Sequence, residues 1–196
     1  MKFFRGLSVL LVIALATSCG GPQTFSDQRK QVKDPDRPKW PNEPSVADTR
    51  EAKAFVGISN RHAGLPQSRE EAEINAYSAA MNYVGLVVER AVRQAGSQTG
   101  LSSDNRLGVA VVRDATVRLK GTALLRGEVA KYHTEHWETR QDGDWYETFA
   151  LFMVPRDVLR VAAQNMLATG MQGRTADELE SLRRAKEILE GMSLDE

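Results

Sequence analysis

Between Ser68 and Gly96 the apolar residues Ile74, Tyr77, Met81, Val84, Val88, Ala91 and Ala95 recur at alternating steps of three and four. That alternation predicts a single long amphipathic helix. Glu71, Asn75, Ser78, Asn82, Glu89 and Arg93 fall on its opposite face. Ser68 followed by Glu71 has the spacing of a capping box, which satisfies the first unpaired backbone donors of a helix, and Gly96 is the expected stop. A second apolar row, Ala76, Ala80, Tyr83 and Val87, widens the buried stripe. A stripe of that width calls for a broad partner, and strand-like segments on either side are the candidates.

Ala54 to Ser59 is short and apolar and reads as a first strand, followed by a turn-rich stretch from Asn60 to Gln67. Gly96 to Asn105 is a polar loop. Leu107 to Leu125 has strand-forming residues in Val109, Val111, Val112, Thr116 and Val117, yet Leu107, Val111, Ala115, Leu119, Thr122 and Leu125 line up on a helical face. A second helix is the preferred reading. Val129–Arg140 and Trp145–Val154 form a β pair around Asp142-Gly143, a turn that wants positive φ. Trp145, Phe149, Leu151 and Met153 share one strand face. A two-residue turn would set Gln141 against Asp144, Trp137 against Thr148, His136 against Phe149 and Tyr132 against Met153. Glu138 would then face Glu147, an unfavourable pairing that a bulge could relieve. Asp157 to Leu167 is helical and closes at Gly170. Thr175 and Glu178 begin a last helix with Leu179, Leu182, Leu189 and Met192 on one side, and its acidic character places it at the surface outside the main core.

The amino terminus is of a different kind. Lys2 and Arg5 precede an apolar run from Leu7 to Ala16, then small and polar residues lead to Cys19. This is the layout of an export signal, and the run is too short to span a bilayer. Ala16-Thr17-Ser18-Cys19 resembles a bacterial lipobox, with its leucine, Leu15, one place earlier than usual. The resemblance implies cleavage before Cys19 and acylation of that residue. Acyl chains contribute about 0.8 kcal/mol per buried methylene, so several of them hold a protein on a bilayer without a spanning helix. The other reading is an ordinary cleaved secretory signal. Gly20 and Gly21 follow in place of an inner-membrane retention aspartate, and by analogy the expected location is the outer membrane, facing the periplasm.

Cys19 is the sole cysteine, so once acylated it leaves the mature chain without an internal disulfide. Removing residues 1–18 leaves 24 basic against 26 acidic residues. No basic field remains to hold nucleic acid. Pro22, Pro35, Pro38, Pro41 and Pro44 lie among charged and amide residues up to about Arg50, a linker composition. A flexible coil of about 30 residues would span about 30 Å. Trp40 is the exception within it, fitted to dock either on its own domain or on a partner. The expected organisation is a signal peptide over 1–18, a lipidated tether over 19–50, an α/β domain over 51–170 and an acidic helix over 171–196.

The short strand containing Phe55-Val56-Gly57-Ile58, the alanines Ala72, Ala76, Ala79 and Ala80, the Leu124-Leu125-Arg126-Gly127 step and the closing run Asp144-Trp145-Tyr146-Glu147-Thr148-Phe149-Ala150-Leu151-Phe152 resemble the Lpp-twenty-type lipoprotein family. Part of a flagellar assembly protein shares that domain. The resemblance covers about residues 52–157 and implies an exported α/β domain with a helix packed on an antiparallel sheet. It brings no catalytic residues with it.

His133, Glu135 and His136 beside Trp137 are the cluster most like a metal site, but strand alternation sends His133 and Glu135 to one face and His136 to the other. The chain lacks Gly-x-Ser-x-Gly, Ser-x-x-Lys and the glycine-rich phosphate loops. Glu70, Glu71 and Glu73 complement the first turns of the long helix. Trp137, Trp145 and Tyr146 near the hairpin turn either fill the core or form a binding patch, core or core edge being the preferred reading; with Trp40, for which docking on its own domain is preferred, they are the candidate partner-binding residues. The expectation is therefore an α+β protein, a long helix with a second helix on a small antiparallel sheet. Its function is that of a non-enzymatic envelope lipoprotein, with no cofactor or metal, whose domain binds an envelope protein or itself. The alternative is an envelope hydrolase or small-ligand-binding protein acting near peptidoglycan, with His133 to Trp137 and Trp145-Tyr146 converging on a pocket.

Overall fold

The computed structural model describes residues 29–33, 37–99, 106–119, 125–139 and 143–192. The expected signal peptide, Cys19, Asp142 and most of the 96–105 loop lie outside them. Four strands, β1 (Arg29–Lys33), β2 (Ala52–Ile58), β3 (Glu128–Thr139) and β4 (Gly143–Pro155), form one antiparallel sheet in the order β1-β3-β4-β2. Among the described residues four α-helices accompany it: α1 (Leu65–Thr99), α2 (Arg106–Arg118), α3 (Arg156–Gly170) and α4 (Ala176–Gly191). The fold is α+β, with the long helix packed on the sheet. No described helix is long and apolar enough to cross a membrane.

α1 is longer than its apolar pattern indicates, beginning three residues before Ser68 and passing through Gly96. Its buried row is the alanine row. Ala72, Ala76 and Ala80 are fully buried and continue through Val84, Val88, Ala91 and Ala95, whereas Ile74, expected in the core, is 58% exposed. The reason is the distance of approach. A Cβ on Gly57 of β2 would stand 2.0 Å from the Ala72 carbonyl oxygen and 2.1 Å from the Ala76 nitrogen, so the helix backbone rests directly on the strand. Only small side chains fit between elements that close. Flanking this seam, Phe55 and Tyr83 meet with ring centroids 5.6 Å apart and Tyr77 and Phe152 at 6.2 Å.

Ser68 does not cap α1. It is buried inside the helix, where its hydroxyl joins Ser59 at 2.8 Å and donates to Thr148 Oγ1 at 2.7 Å; Ser59 Oγ in turn accepts from the Thr148 amide. This hydroxyl cluster ties the start of α1 to β2 and β4 and leaves its buried polar atoms paired. The capping box at Thr175 and Glu178 is present as expected, with the threonine and glutamate side chains each bonded to the other residue's backbone nitrogen. α4 lies at the surface, but Leu182, Ala185 and Leu189 complete the main core, a correction to the sequence reading. α2 is a helix, with Val111 and Ala115 buried. Its partner contact is again glycine-mediated, since a Cβ on Gly170 of α3 would lie 2.5 Å from Val111 Cγ1.

The hairpin exists with a different register. Three residues, 140–142, separate Thr139 from its partner Gly143, and the pairs are Trp137 with Trp145, Glu135 with Glu147, His133 with Phe149 and Tyr132 with Ala150. The register is three residues from that of a two-residue turn. Gly143 has the expected positive φ, 72°. A bulge does occur, between Val129 and Lys131, far from the paired glutamates.

The distal part of the expected tether is folded. Residues 29–33 pair with β3, and 37–50 form a strap over the sheet face opposite α1. Trp40, 8% exposed, packs there with Ala54, Phe149 and Leu151. The strap is pinned where Asp48 Oδ1 accepts the Ala54 amide at 2.7 Å and the Thr49 carbonyl accepts from the Arg156 guanidinium. Prolines that suit a free linker also suit a strap, because an X-Pro segment favours extended backbone.

Candidate functional site

β4 alternates its side chains between the two sheet faces. Thr148, Ala150, Phe152 and Val154 face α1, while Trp145, Glu147, Phe149 and Leu151 face outward. In the observed register β3 adds His133, Glu135 and Trp137 to the outward face. Trp137 and Trp145 are stacked there, with centroids 5.4 Å apart and planes 14° apart. The Arg61 guanidinium sits 4.5 Å from the Trp145 ring centre, and Arg37, from the strap, sits 4.6 Å above Phe149. These are cation–π contacts that also cover the rings.

Between these aromatics lie the facing carboxylates Glu135 and Glu147. Arg37 Nε is 3.4 Å from Glu135 Oε1, and His133 Nε2 is 3.7 Å from the same oxygen. Burial pushes the Glu147 carboxyl above its ordinary pKa; the charge on Glu135 adds to the rise, and Arg37 and Arg61 oppose it. His133 Nε2 and Trp137 Nε1 are buried without a hydrogen-bond partner among the described residues.

The face toward α1 holds the other half of the hairpin end. Tyr146 stacks on His136 at 4.6 Å, and His136 Nε2 lies 3.3 Å from Asp144 Oδ2. His62 exchanges backbone hydrogen bonds with Tyr146, extending the β2 edge beyond a one-residue bulge. Its ring nitrogen meets Glu71 Oε2 at 2.5 Å, and Glu71 also accepts from the Asn60 amide and side chain. The hydrogen bond from His62 leads the causes that hold the Glu71 carboxyl below its usual pKa, followed by the Asn60 backbone donor.

Of the four aromatic candidates the structure brings Trp137 and Trp145 together, puts Tyr146 beside them on the opposite face, and holds Trp40 apart in its own cluster. His133 and His136 fall on opposite faces, so the convergence required by a pocket-forming alternative is not made. Among the described residues no group of three His, Cys, Asp or Glu side chains could hold a metal ion. The contributions of Arg37 and Arg61 were not readable from spacing, because the strap and a loop deliver them; His62, expected as a loop contributor to the His133–His136 cluster, bonds Glu71 instead. Glu147 was readable: it shares strand parity with Trp145 and Phe149.

A second feature lies between the helices. Met81, Asn82, Gly85, Leu86 and Glu89 of α1 face Val112 and Thr116 of α2 across a groove of about 320 Å³. Leu86 is 63% exposed beside it, and Val109 and Val117 of α2 are exposed as well. Comparison of the chain with protein-family models, curated proteins and solved structures finds no match.

Proposed function

We propose that this chain is a bacterial envelope lipoprotein, anchored through acylated Cys19, whose α+β domain is a protein-interaction or assembly module rather than a catalyst. The anchor is supported by the lipobox-like Leu15 to Cys19 segment, where the only cysteine stands at the end of an export signal. The observation that carries the interaction role is the α1/α2 groove, whose rim keeps Leu86 in solvent although a fold of this kind has a core to bury it in. Apolar side chains gathered at a groove mark contact surfaces more often than scattered ones do. The Lpp-twenty-type resemblance belongs to this reading, with an outer-membrane location facing the periplasm.

Two substitutions test the two halves separately. Cys19→Ala moves the protein from the membrane fraction to the soluble periplasmic fraction, and unchanged partition defeats the anchor. A photoreactive residue at Leu86 yields one recurrent protein adduct in intact cells, either a second copy or another envelope protein. A probe at Leu86 that captures no protein defeats the interaction role.

A further inference from the structure

Nine residues, and so ten Cα-to-Cα steps, separate Cys19 from Arg29, where β1 begins. Ten steps of fully extended chain reach at most about 35 Å. β1 is antiparallel to β3, with Arg29 opposite Thr139 and Lys33 opposite His136, so the chain enters the sheet at the hairpin end. Whatever holds Cys19 therefore holds that end of the molecule closest.

Beside the exposed acids Glu138 and Asp144, this end carries side chains of the kind found at a lipid surface. Half-buried Trp137 stacks on Trp145, half-buried Tyr146 lies beside it, and exposed Arg61 covers the Trp145 ring. Tryptophan and tyrosine rings concentrate at headgroup level, and arginine there meets anionic lipid; Trp137 offers the exposed part of its ring, its Nε1 being buried. α1 starts at the same end, where Glu71 meets His62, and runs for about 50 Å at 1.5 Å per residue. Its groove around Gly85 is thereby carried away from the entry point.

Resting on the Cys19 anchor proposed above, we infer that the hairpin end is the pole turned to the bilayer, with Trp137, Tyr146 and Arg61 in contact with lipid headgroups. The α1/α2 groove is left facing the compartment, open to a protein. One surface holds the molecule down while another stays free.

The test uses the full-length acylated protein in vesicles of phosphatidylethanolamine and phosphatidylglycerol that carry a nitroxide on the lipid headgroup. Tryptophan emission is compared between Trp40→Phe, which keeps the hairpin pair, and the double variant Trp137→Phe/Trp145→Phe, which keeps only Trp40. The hairpin tryptophans lose emission to the nitroxide and Trp40 does not. Equal quenching of the two variants, or stronger quenching of Trp40, overturns the inference. If either substitution unfolds the domain, Trp137→Phe alone serves, since its ring is only half-buried: the quenchable part of the emission falls relative to the unsubstituted chain, and no fall overturns the inference. Protein left in the supernatant when the vesicles are sedimented overturns the anchor itself. Sedimenting protein without quenching overturns only the orientation.

Discussion

The two faces of the sheet are covered in opposite ways. On one, α1 sits so close to β2 that their line of contact is made of Gly57 and the alanine row, with larger rings to either side, and a buried hydroxyl cluster takes up polar atoms at its start. On the other, a strap whose regular structure is one 3-10 turn, Pro44–Ala47, lies over large rings, and charges are enclosed with them: Glu135 and Glu147 oppose each other beneath Arg37 and Arg61. The helix-covered face is specified by backbone proximity and tolerates almost no change of volume. The strap-covered face is specified by side chains, and its electrostatic balance can be altered one group at a time.

Gly57→Ala has the largest expected effect. Its methyl would overlap the backbone of α1, which no rotamer change relieves, so the cost exceeds the about 1–3 kcal/mol of ordinary overpacking. Loss of the cooperative thermal transition is expected, and a stable, native-like variant would show that α1 does not need the close seat. Trp40→Ala comes next. Removing a buried tryptophan from its cluster costs about 3–5 kcal/mol, read as a lower denaturant midpoint. A loss below about 1 kcal/mol would mean that the strap merely lies on the sheet.

The smallest effects separate the faces by sign. Glu71, on the α1 side, has a lowered pKa, so its contribution is present above the ordinary value of 4.5 and is lost as pH falls through the folded value. Glu71→Gln is therefore less stable than the parent at neutral pH, and the gap closes on acidification. Glu147, under the strap, has a raised pKa, so its contribution is present below 4.5 and is lost as pH rises through the folded value. Glu147→Gln is more stable than the parent at neutral pH by a few tenths of a kcal/mol, partial exposure having reduced the effect. Melting temperatures of both variants across pH 3–8 check the pair. Gaps of the same sign would erase the distinction.

The features legible in the sequence were those with a strong period. α1, the hairpin and the Thr175 cap were all predicted from spacing, and so was the separation of His133 from His136. The buried row of α1 was misjudged because large apolar residues carry the periodic signal, whereas a close helix–strand seat selects alanine and glycine, which carry little. A turn one residue longer than supposed, together with the changed pairing it allows, moved every cross-strand partner. Glu135 rather than Glu138 consequently meets Glu147. Trp137 and Trp145 were singled out, but Arg61 over Trp145 and Arg37 over Phe149 come from segments whose position is a tertiary fact. Composition could not distinguish a strap from a tether, since both are rich in proline and charge; Trp40, the large apolar side chain among those prolines, was the available clue.

β1 has a consequence for assembly. Its partner strand lies more than a hundred residues further along the chain, and the strap likewise waits for Phe149 and Leu151. A chain delivered amino terminus first presents these pieces before anything exists to receive them, and the closing of so long a loop adds an entropic cost that the local α1–β2 contacts do not carry. The first residues out are thus the last to be seated. Until they are, the outer edge of β3 stands open to any other strand that reaches it.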